Sequence, residues 1–217
     1  RSAATAGGLQ VTRPLLIEFF GGPASGKSTT SLALTSLLKV YLDQYSGSTM
    51  RVEYVSEAAK GLVWETGALM LGNQARLFGE QFRRLERLRG KVDIIVSDSP
   101  LWLCEFYGRR DLYPPAAWAD VIRAHYANFE VLPILVNRVG RFETSGRVHD
   151  EASSTEAHAA IAAIARREYG GSLSEMDADV GTPFRVIARL AKDGRIPAQR
   201  CSVHFADWYA REVEKYE

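Results

Sequence analysis

The sequence lacks the marks of several large classes of protein. No apolar run approaches the ~20 residues that cross a bilayer, so we expect no membrane partner. Only two of the 217 residues are cysteines. Cys104 and Cys201 lie far apart without metal-ligand spacing, so we expect free thiols in a cytoplasmic protein. The 27 basic and 26 acidic residues leave a formal charge of +1. Any contact with nucleic acid must therefore be local.

The beginning of the sequence is poor in large apolar side chains. Residues 1–10 are small and polar, contain Gly7 and Gly8, and lack the apolar core of a secretion signal. We therefore expect residues 1–13 to form a flexible arm. Residues 14–217 contain no internal repeat, low-complexity block or linker, which predicts a single domain.

A glycine-rich turn is the most specific motif of the chain. It follows the short apolar run 15–20, precedes apolar residues at helical spacing, and reads Gly21-Gly22-Pro23-Ala24-Ser25-Gly26-Lys27-Ser28-Thr29. This segment, called here the phosphate loop, matches the pattern Gly, four residues, Gly-Lys-Ser/Thr. In such a loop the backbone N–H groups and the positive end of a helix bind a polyphosphate. The order strand, loop, helix therefore predicts an ATP site.

Individual roles follow from this motif. Lys27 would reach the β- and γ-phosphates, Ser28 would place its hydroxyl on Mg²⁺, and Thr29 would support it. Asp98 ends another apolar strand, at the position from which many ATP-binding enzymes hold the Mg²⁺ shell. The next residue is Ser99, whereas motor-type ATPases place a water-activating glutamate there. A purely structural role for Asp98 at the strand end stays open.

Glu57 is the predicted general base. The segment 51–56 alternates like a strand and ends at this residue. Ligands of open α/β sheets gather at the carboxyl ends of the strands, so Glu57 should lie beside the phosphate loop. There it would accept the proton of an attacking hydroxyl. The alternative is that Glu57 caps the helix that begins at Ala58.

Four side chains are candidates for contact with the acceptor substrate. Apolar residues at helical spacing predict a helix over residues 68–89, and Gln74, Gln81 and Arg84 lie along one edge of its apolar stripe. Two amides there would bind a base and the guanidinium an anion, although the edge is equally compatible with solvated surface. Arg109, after an aromatic segment, is the fourth candidate for binding an acceptor phosphate.

The segment 138–152 has the composition of a lid. It follows the strand 131–136 and combines arginines with glycines. Glycines would allow the segment to open, and arginines closing over the transferred phosphoryl group would neutralise charge and exclude water. Arg138 and Arg147 are the preferred residues for this role, with Arg141 third. The alternative is that these arginines are surface residues without a functional role.

The remaining elements complete a fold prediction. Ser153 and Glu156 have the spacing of a capping box that opens a helix. A short strand over 173–176, a helix over 183–191 and a packed terminal helix that contains Phe205 are expected after it. Alternating strands and helices predict an α/β fold with a mostly parallel sheet.

Taken together, these motifs resemble the phosphate-loop kinases of nucleosides and nucleotides. The segments 55–60 and 81–93 and the lid through Gly146-Arg147 are similar to the NadR-type family, which includes the nicotinamide riboside kinase domain and many phage-encoded kinases. The resemblance covers roughly residues 14–192 and implies a three-layer α/β/α fold, ATP and Mg²⁺. It implies a nucleoside-type acceptor, and 5-hydroxymethyluracil already within DNA is one candidate. A phage-encoded member would act in the host cytoplasm.

Two other classes of function compete with a kinase. An ATPase or GTPase switch is disfavoured because the guanine-reading Asn-Lys-x-Asp pattern is missing, Asn137-Arg138 being the nearest comparable place, and because Ser99 follows Asp98. A nucleic-acid-binding module with incidental ATP affinity would need a basic face that the net charge does not require.

Overall fold

The architecture is built on one parallel sheet. The computed structural model describes residues 13–66, 71–108, 114–140, 150–198 and 203–215. Five strands lie in the order β2-β3-β1-β4-β5, and every neighbouring pair is parallel. The strands are β1 (Leu15–Phe20), β2 (Val52–Val55), β3 (Ile94–Ser97), β4 (Glu130–Asn137) and β5 (Ser174–Asp177). The predicted α/β fold is confirmed.

Helices connect and cover these strands. The described helices are α1 (Lys27–Val40), α2 (Ala58–Thr66), α3 (Gln74–Glu86), α4 (Leu103–Tyr107), α5 (Pro115–Tyr126), α6 (Glu151–Tyr169), α7 (Thr182–Lys192) and α8 (Val203–Glu214). Helix α1 continues into a π-helical turn, Tyr41–Tyr45, where the N–H of Ser46 donates to the carbonyl of Tyr41 at 2.8 Å. None of the described helices is long and apolar enough to span a bilayer.

Two hydrophobic cores lie on opposite faces of the sheet. Strand β1 is central and wholly buried, so its alternating side chains point to different cores. Ile17 and Phe19 pack with α1, α7 and α8, whereas Leu16 and Phe20 pack with helices α3 to α6. The expected three layers, helices on both faces of a sheet, are therefore confirmed.

The C-terminal helix belongs to the first of these cores. Phe205 is 1% exposed, and its ring stands edge-on to Tyr41 with 5.0 Å between centroids. Trp208 stacks on the other side of Phe205 at 5.8 Å. The packed terminal helix is therefore present as predicted, and the structure adds that it covers the end of α1 and its π-helical turn.

Helix α3 begins later than its apolar pattern predicted. It starts at Gln74 instead of Ala68, and residues 67–70 lie outside the described part of the chain. Asn73 is the N-cap, because its side chain accepts a hydrogen bond from the N–H of Arg76 at 3.0 Å. The Gly72-Asn73 pair was the sequence signal for this start.

The start of α6 was also placed wrongly. The Asp150 carboxylate accepts from the N–H of Ser153 at 2.8 Å, so Asp150 is the N-cap and Glu151 the first helical residue. Ser153 lies inside the first turn and does not open a capping box. Aspartate and serine are equally good N-cap residues, so the sequence alone did not show whether Asp150 or Ser153 caps the helix.

A carboxyl group is buried in the middle of β1. Glu18 is fully buried, and the hydroxyl of Tyr126 donates to its Oε2 at 2.5 Å. The same hydroxyl accepts from the N–H of Leu101 at 2.7 Å. Burial raises the pKa of Glu18 to about 8, more than the Tyr126 hydrogen bond lowers it. The folded protein therefore keeps Glu18 protonated at neutral pH.

This burial predicts a specific pH dependence of stability. In the folded state Glu18 keeps its proton up to about pH 8, whereas in the unfolded state it loses the proton near its ordinary pKa of 4.5. The contribution of Glu18 to the unfolding free energy is therefore complete below pH 4.5 and is lost as the pH rises to about 8. Between pH 5 and pH 8 the wild type should lose on the order of 3 kcal/mol more unfolding free energy than Glu18→Gln. Urea unfolding of both proteins at the two pH values measures the difference; equal losses would contradict it.

Candidate active site

Four predicted site groups lie at one edge of the sheet. The phosphate loop follows β1, Asp98 follows β3, Glu57 follows β2 and Arg138 follows β4. Parallel strands present their carboxyl ends at the same edge, where ligands of such sheets bind. The strand order therefore brings together groups that are up to about a hundred residues apart in the sequence.

The phosphate loop has the backbone shape of an anion-binding turn. Ala24 (φ 60°) and Gly26 (φ 91°) both adopt left-handed conformations, and α1 begins directly afterwards at Lys27. Turns of this kind direct successive N–H groups into one concavity, at the positive end of the helix. A Cβ at Gly26 would lie 2.6 Å from the Cβ of Ala178, so this position requires glycine both for its conformation and for space.

Lys27 folds over the loop that precedes it. Its Nζ donates to the carbonyl oxygens of Gly21 at 2.8 Å and Gly22 at 2.9 Å. The two bonds hold the ammonium group above the loop. A polyphosphate bound by the loop N–H groups would therefore meet a positive charge already in place.

Ser28 and Asp98 form a pair of oxygen donors beside the loop. The Ser28 hydroxyl donates to Asp98 Oδ2 at 2.5 Å, and Asp98 is 3% exposed. Its Oδ1 is buried and has no hydrogen-bond partner among the described residues. That part of the chain also contains no group of three or more His, Cys, Asp or Glu side chains able to hold a metal. Mg²⁺ at ATP sites needs only one or two protein oxygens besides the phosphates, so the pair fits Mg²⁺.

The carboxylate of Glu57 contributes to raising the pKa values of two tyrosines. Burial, then the carboxylate of Asp98 and more weakly that of Glu57, raise the pKa of Tyr54. Burial and then the charge of Glu57 raise the pKa of Tyr107 to about 12. Strand β2 pairs with β3, with Val55 opposite Ser97, so Glu57 and Asp98 follow neighbouring strands at the same edge of the sheet. This position agrees with a base near the phosphate loop.

Helix α6 holds the phosphate loop from outside. The hydroxyl of Ser154 donates to the carbonyl of Pro23 at 2.6 Å, and the N–H of Gly22 donates to His158 Nδ1 at 3.2 Å. Burial, followed by the positive charges of Lys27 and two arginines, lowers the pKa of His158. The imidazole therefore stays neutral and able to accept this bond. We did not predict either residue from the sequence.

The contact leaves no room for a side chain at Gly22. A Cβ there would lie 2.8 Å from both the Cβ of His158 and the carbonyl oxygen of Ser154. Gly22→Ala must displace α6 or the loop, and we expect it to lower the unfolding free energy by about 1 to 3 kcal/mol and to weaken ATP binding. Gly171→Ala is the control, because nothing lies within 4 Å of that position. Urea unfolding compares the two variants, and equal stability would show that the contact is loose.

The basic lid is described only in part. Arg138 Nη2 donates to Glu151 Oε1 at 2.8 Å, which joins the end of β4 to the start of α6. Glu151 begins the helix whose Ser154 and His158 contact the phosphate loop, so Arg138 pairs with the element that holds the loop. Arg147, Arg141 and Arg109 fall outside the described residues. Their roles stay predictions.

The three helical candidates for acceptor contact all have internal partners. Gln74 Nε2 donates to the carbonyl of Leu71 at 2.6 Å, and Gln81 Oε1 accepts from the N–H of Ala58 at 2.8 Å. Arg84 donates to Glu80 at 3.0 Å and to backbone oxygens at the end of β2. Gln81 Nε2 is buried without a partner in the described part of the chain. Gln81 thus caps α2 and keeps one donor for a ligand.

Solved structures share this fold. The NadR protein, in a complex with NR, superposes with a TM-score of 0.56 at 16% identity over 80% of this chain. The matched region is 47% of that protein, so the chain spans about half of NadR. The deoxyadenosine kinase from M. mycoides, with products dCMP and a flexible dCDP, superposes with a TM-score of 0.50 at 17% identity, over 82% of this chain and 98% of the kinase. The strand order 2-3-1-4-5 is typical of P-loop kinases.

At these identities the likeness establishes the fold. No protein-family model and no curated protein sequence matches the chain. The reaction must therefore be argued from the geometry of the site.

Proposed function

We propose that this protein is an ATP- and Mg²⁺-dependent kinase that transfers the γ-phosphoryl group to a hydroxyl of a nucleoside-type acceptor. One observation carries the proposal: the hydrogen-bonded Ser28–Asp98 pair lies beside a phosphate loop over which Lys27 is already held. Catalysis of phosphoryl transfer is mainly positioning and charge neutralisation. A cation, a metal-binding pair and a carboxylate base around one loop provide both.

The roles of the residues follow from their places. Loop N–H groups bind the β- and γ-phosphates, and Lys27 neutralises charge that develops between them. Ser28 and Asp98 would hold Mg²⁺, which when bound neutralises and orients the phosphate oxygens. Glu57 accepts the proton of the acceptor hydroxyl. Arg138, and with it Arg147 of the predicted lid, covers the transferred group and excludes water.

In this proposal the acceptor binds next to Glu57. Arg84 donates to the carbonyl of Glu57 at 3.4 Å, and Gln81, which accepts from the N–H of Ala58, keeps an Nε2 group without a partner among the described residues that suits a base edge. Gln74 and Arg109 complete the proposed acceptor site. Two acceptors are compatible with these groups: a free nucleoside such as nicotinamide riboside, and the hydroxymethyl group of 5-hydroxymethyluracil in DNA.

Hydrolysis of ATP to drive a partner protein is the alternative. It would need a residue that activates water beside the metal-binding aspartate. Ser99 occupies the next position, and its N–H donates to the hydroxyl of Ser97 at 3.2 Å. A serine held in a tight turn is a poor base, so transfer to an alcohol is favoured.

Labelled ATP tests this proposal directly. The protein is incubated with [γ-³²P]ATP and Mg²⁺ together with nucleosides, with DNA that contains 5-hydroxymethyluracil, or with unmodified DNA. We expect label in the nucleosides or in the modified DNA, and none in the unmodified DNA. Release of inorganic phosphate alone, at a rate that no acceptor changes, would overturn the kinase and favour the ATPase.

A further inference from the structure

A groove runs between helices α2 and α3, away from the phosphate loop. It consists of two cavities of about 470 Å³ and 180 Å³ that share Glu80, Arg83 and Arg84. Gly61, Leu62 and Glu65 of α2 line the larger cavity, and the end of β2 with Ser56 after it lines the smaller. We call this the α2–α3 groove.

Its α3 wall is a row of arginines. Four of them line the groove at spacings that place them on one face of the helix, namely Arg76, Arg83, Arg84 and Arg87. The row spans about 16 Å at the helical rise. Glu65 and Glu80 are the acidic residues of the lining, and the bonds from Arg83 and then Arg84 lower the pKa of Glu80 to about 2. Four positive against two negative side chains leave the groove basic in a nearly neutral protein.

An exposed aromatic side chain lies on α2, the helix opposite the arginines, directly before Glu65 of the groove lining. Trp64 of α2 is 82% exposed, although indole is costly to leave in water. It belongs to the same helix segment that lines the groove. A positive groove with an aromatic side chain next to it is the combination that binds single-stranded nucleic acid, because arginines contact phosphates and rings stack on bases.

We propose that the α2–α3 groove binds the sugar–phosphate backbone of a nucleic-acid strand and that Trp64 stacks on one of its bases. This rests on the proposed function, since it makes the acceptor a nucleotide within a strand. Arg84 connects the groove to the site: it donates to the carbonyl oxygens of Ser56 at 3.2 Å and Glu57 at 3.4 Å. A strand in the groove therefore runs to the residue proposed as base. An acidic protein segment would use the arginines and leave Trp64 without a role.

Binding without ATP tests the groove separately from catalysis. Fluorescence anisotropy with a labelled ~15-nucleotide single strand compares the wild type with Arg83→Ala/Arg87→Ala and Trp64→Ala. We expect each variant to bind about tenfold more weakly, and the double variant to lower the slope of log K against log salt by about 1.5. The matched control is Lys39→Ala/Lys192→Ala, which also removes two charges, from exposed positions on α1 and α7 across the sheet. It should bind like the wild type.

Competitors identify the ligand. A mononucleotide and poly-glutamate should each displace the labelled strand far less well than an unlabelled strand does. If the mononucleotide competes as well as the strand, the groove binds a single phosphate group and not a strand. If poly-glutamate competes as well, the ligand is an acidic protein partner. Either result, or equal weakening by the lysine control, overturns the proposal. Absence of strand binding in a protein that labels free nucleosides would reject the groove and leave the kinase standing.

Discussion

Lys27→Ala is expected to lower kcat for phosphoryl transfer by about 1000-fold or more, with the fold intact. The ammonium group is held above the phosphate loop by two carbonyl oxygens, so its charge is in place before ATP binds. Removing one preorganised group that stabilises transition-state charge typically costs about 10²- to 10³-fold, and removing a cation at a transferring phosphoryl group costs more. The assay is label transfer at saturating ATP.

The control for Lys27 lies on the same helix. Lys39 of α1 is exposed and pairs with Glu53 at 3.5 Å, so Lys39→Ala removes an equal charge away from the loop. We expect it to keep near wild-type activity, and circular dichroism to show both variants folded. The role assigned to Lys27 fails if the two variants transfer phosphate at the same rate.

Glu57→Gln should separate turnover from binding. The amide has nearly the shape of the carboxylate but cannot take a proton, so kcat should fall about 10²- to 10³-fold. Affinity for ATP should change little, because the loop and Lys27 provide the phosphate contacts. Rapid-quench transfer measures kcat, and isothermal titration measures ATP binding.

Glu53→Gln is the matched control for this change. Glu53 lies on β2, the strand that precedes Glu57, and is exposed. It should behave like the wild type in both measurements. A parallel loss of ATP affinity and turnover in Glu57→Gln would assign Glu57 to structure, as a cap of α2.

Sequence reasoning succeeded where structure is local. The phosphate loop, β1 and α1 are consecutive, so one motif with its flanking apolar pattern was sufficient to predict all three. Strand β3 was also predicted, because a buried parallel strand is a short apolar run that stops at a polar residue, and β2 was predicted from its alternating pattern.

It failed where contacts join distant segments. His158 and Gly22 are separated by 136 residues, and nothing near either residue indicates the other. Gln81 shows a second reason. Its place on the helix edge was evident, but whether its amide binds a ligand or the N–H of Ala58 depends on how α2 and α3 pack. The start of α3 after Asn73 was missed because apolar periodicity was given more weight than the capping residue, and the start of α6 was missed because Ser153 was chosen as the cap in place of Asp150.

The contacts between α6 and the phosphate loop couple the motion of this helix to nucleotide binding. Ser154 and His158 hold the loop at Pro23 and Gly22, so a ligand that orders the loop must also restrict the motion of this helix. The coupling is reciprocal. A change that restricts the motion of α6, including a change in the segment that precedes Asp150, alters the affinity for nucleotide by the same free energy. Amide hydrogen exchange in the first turns of α6 should therefore slow when nucleotide binds.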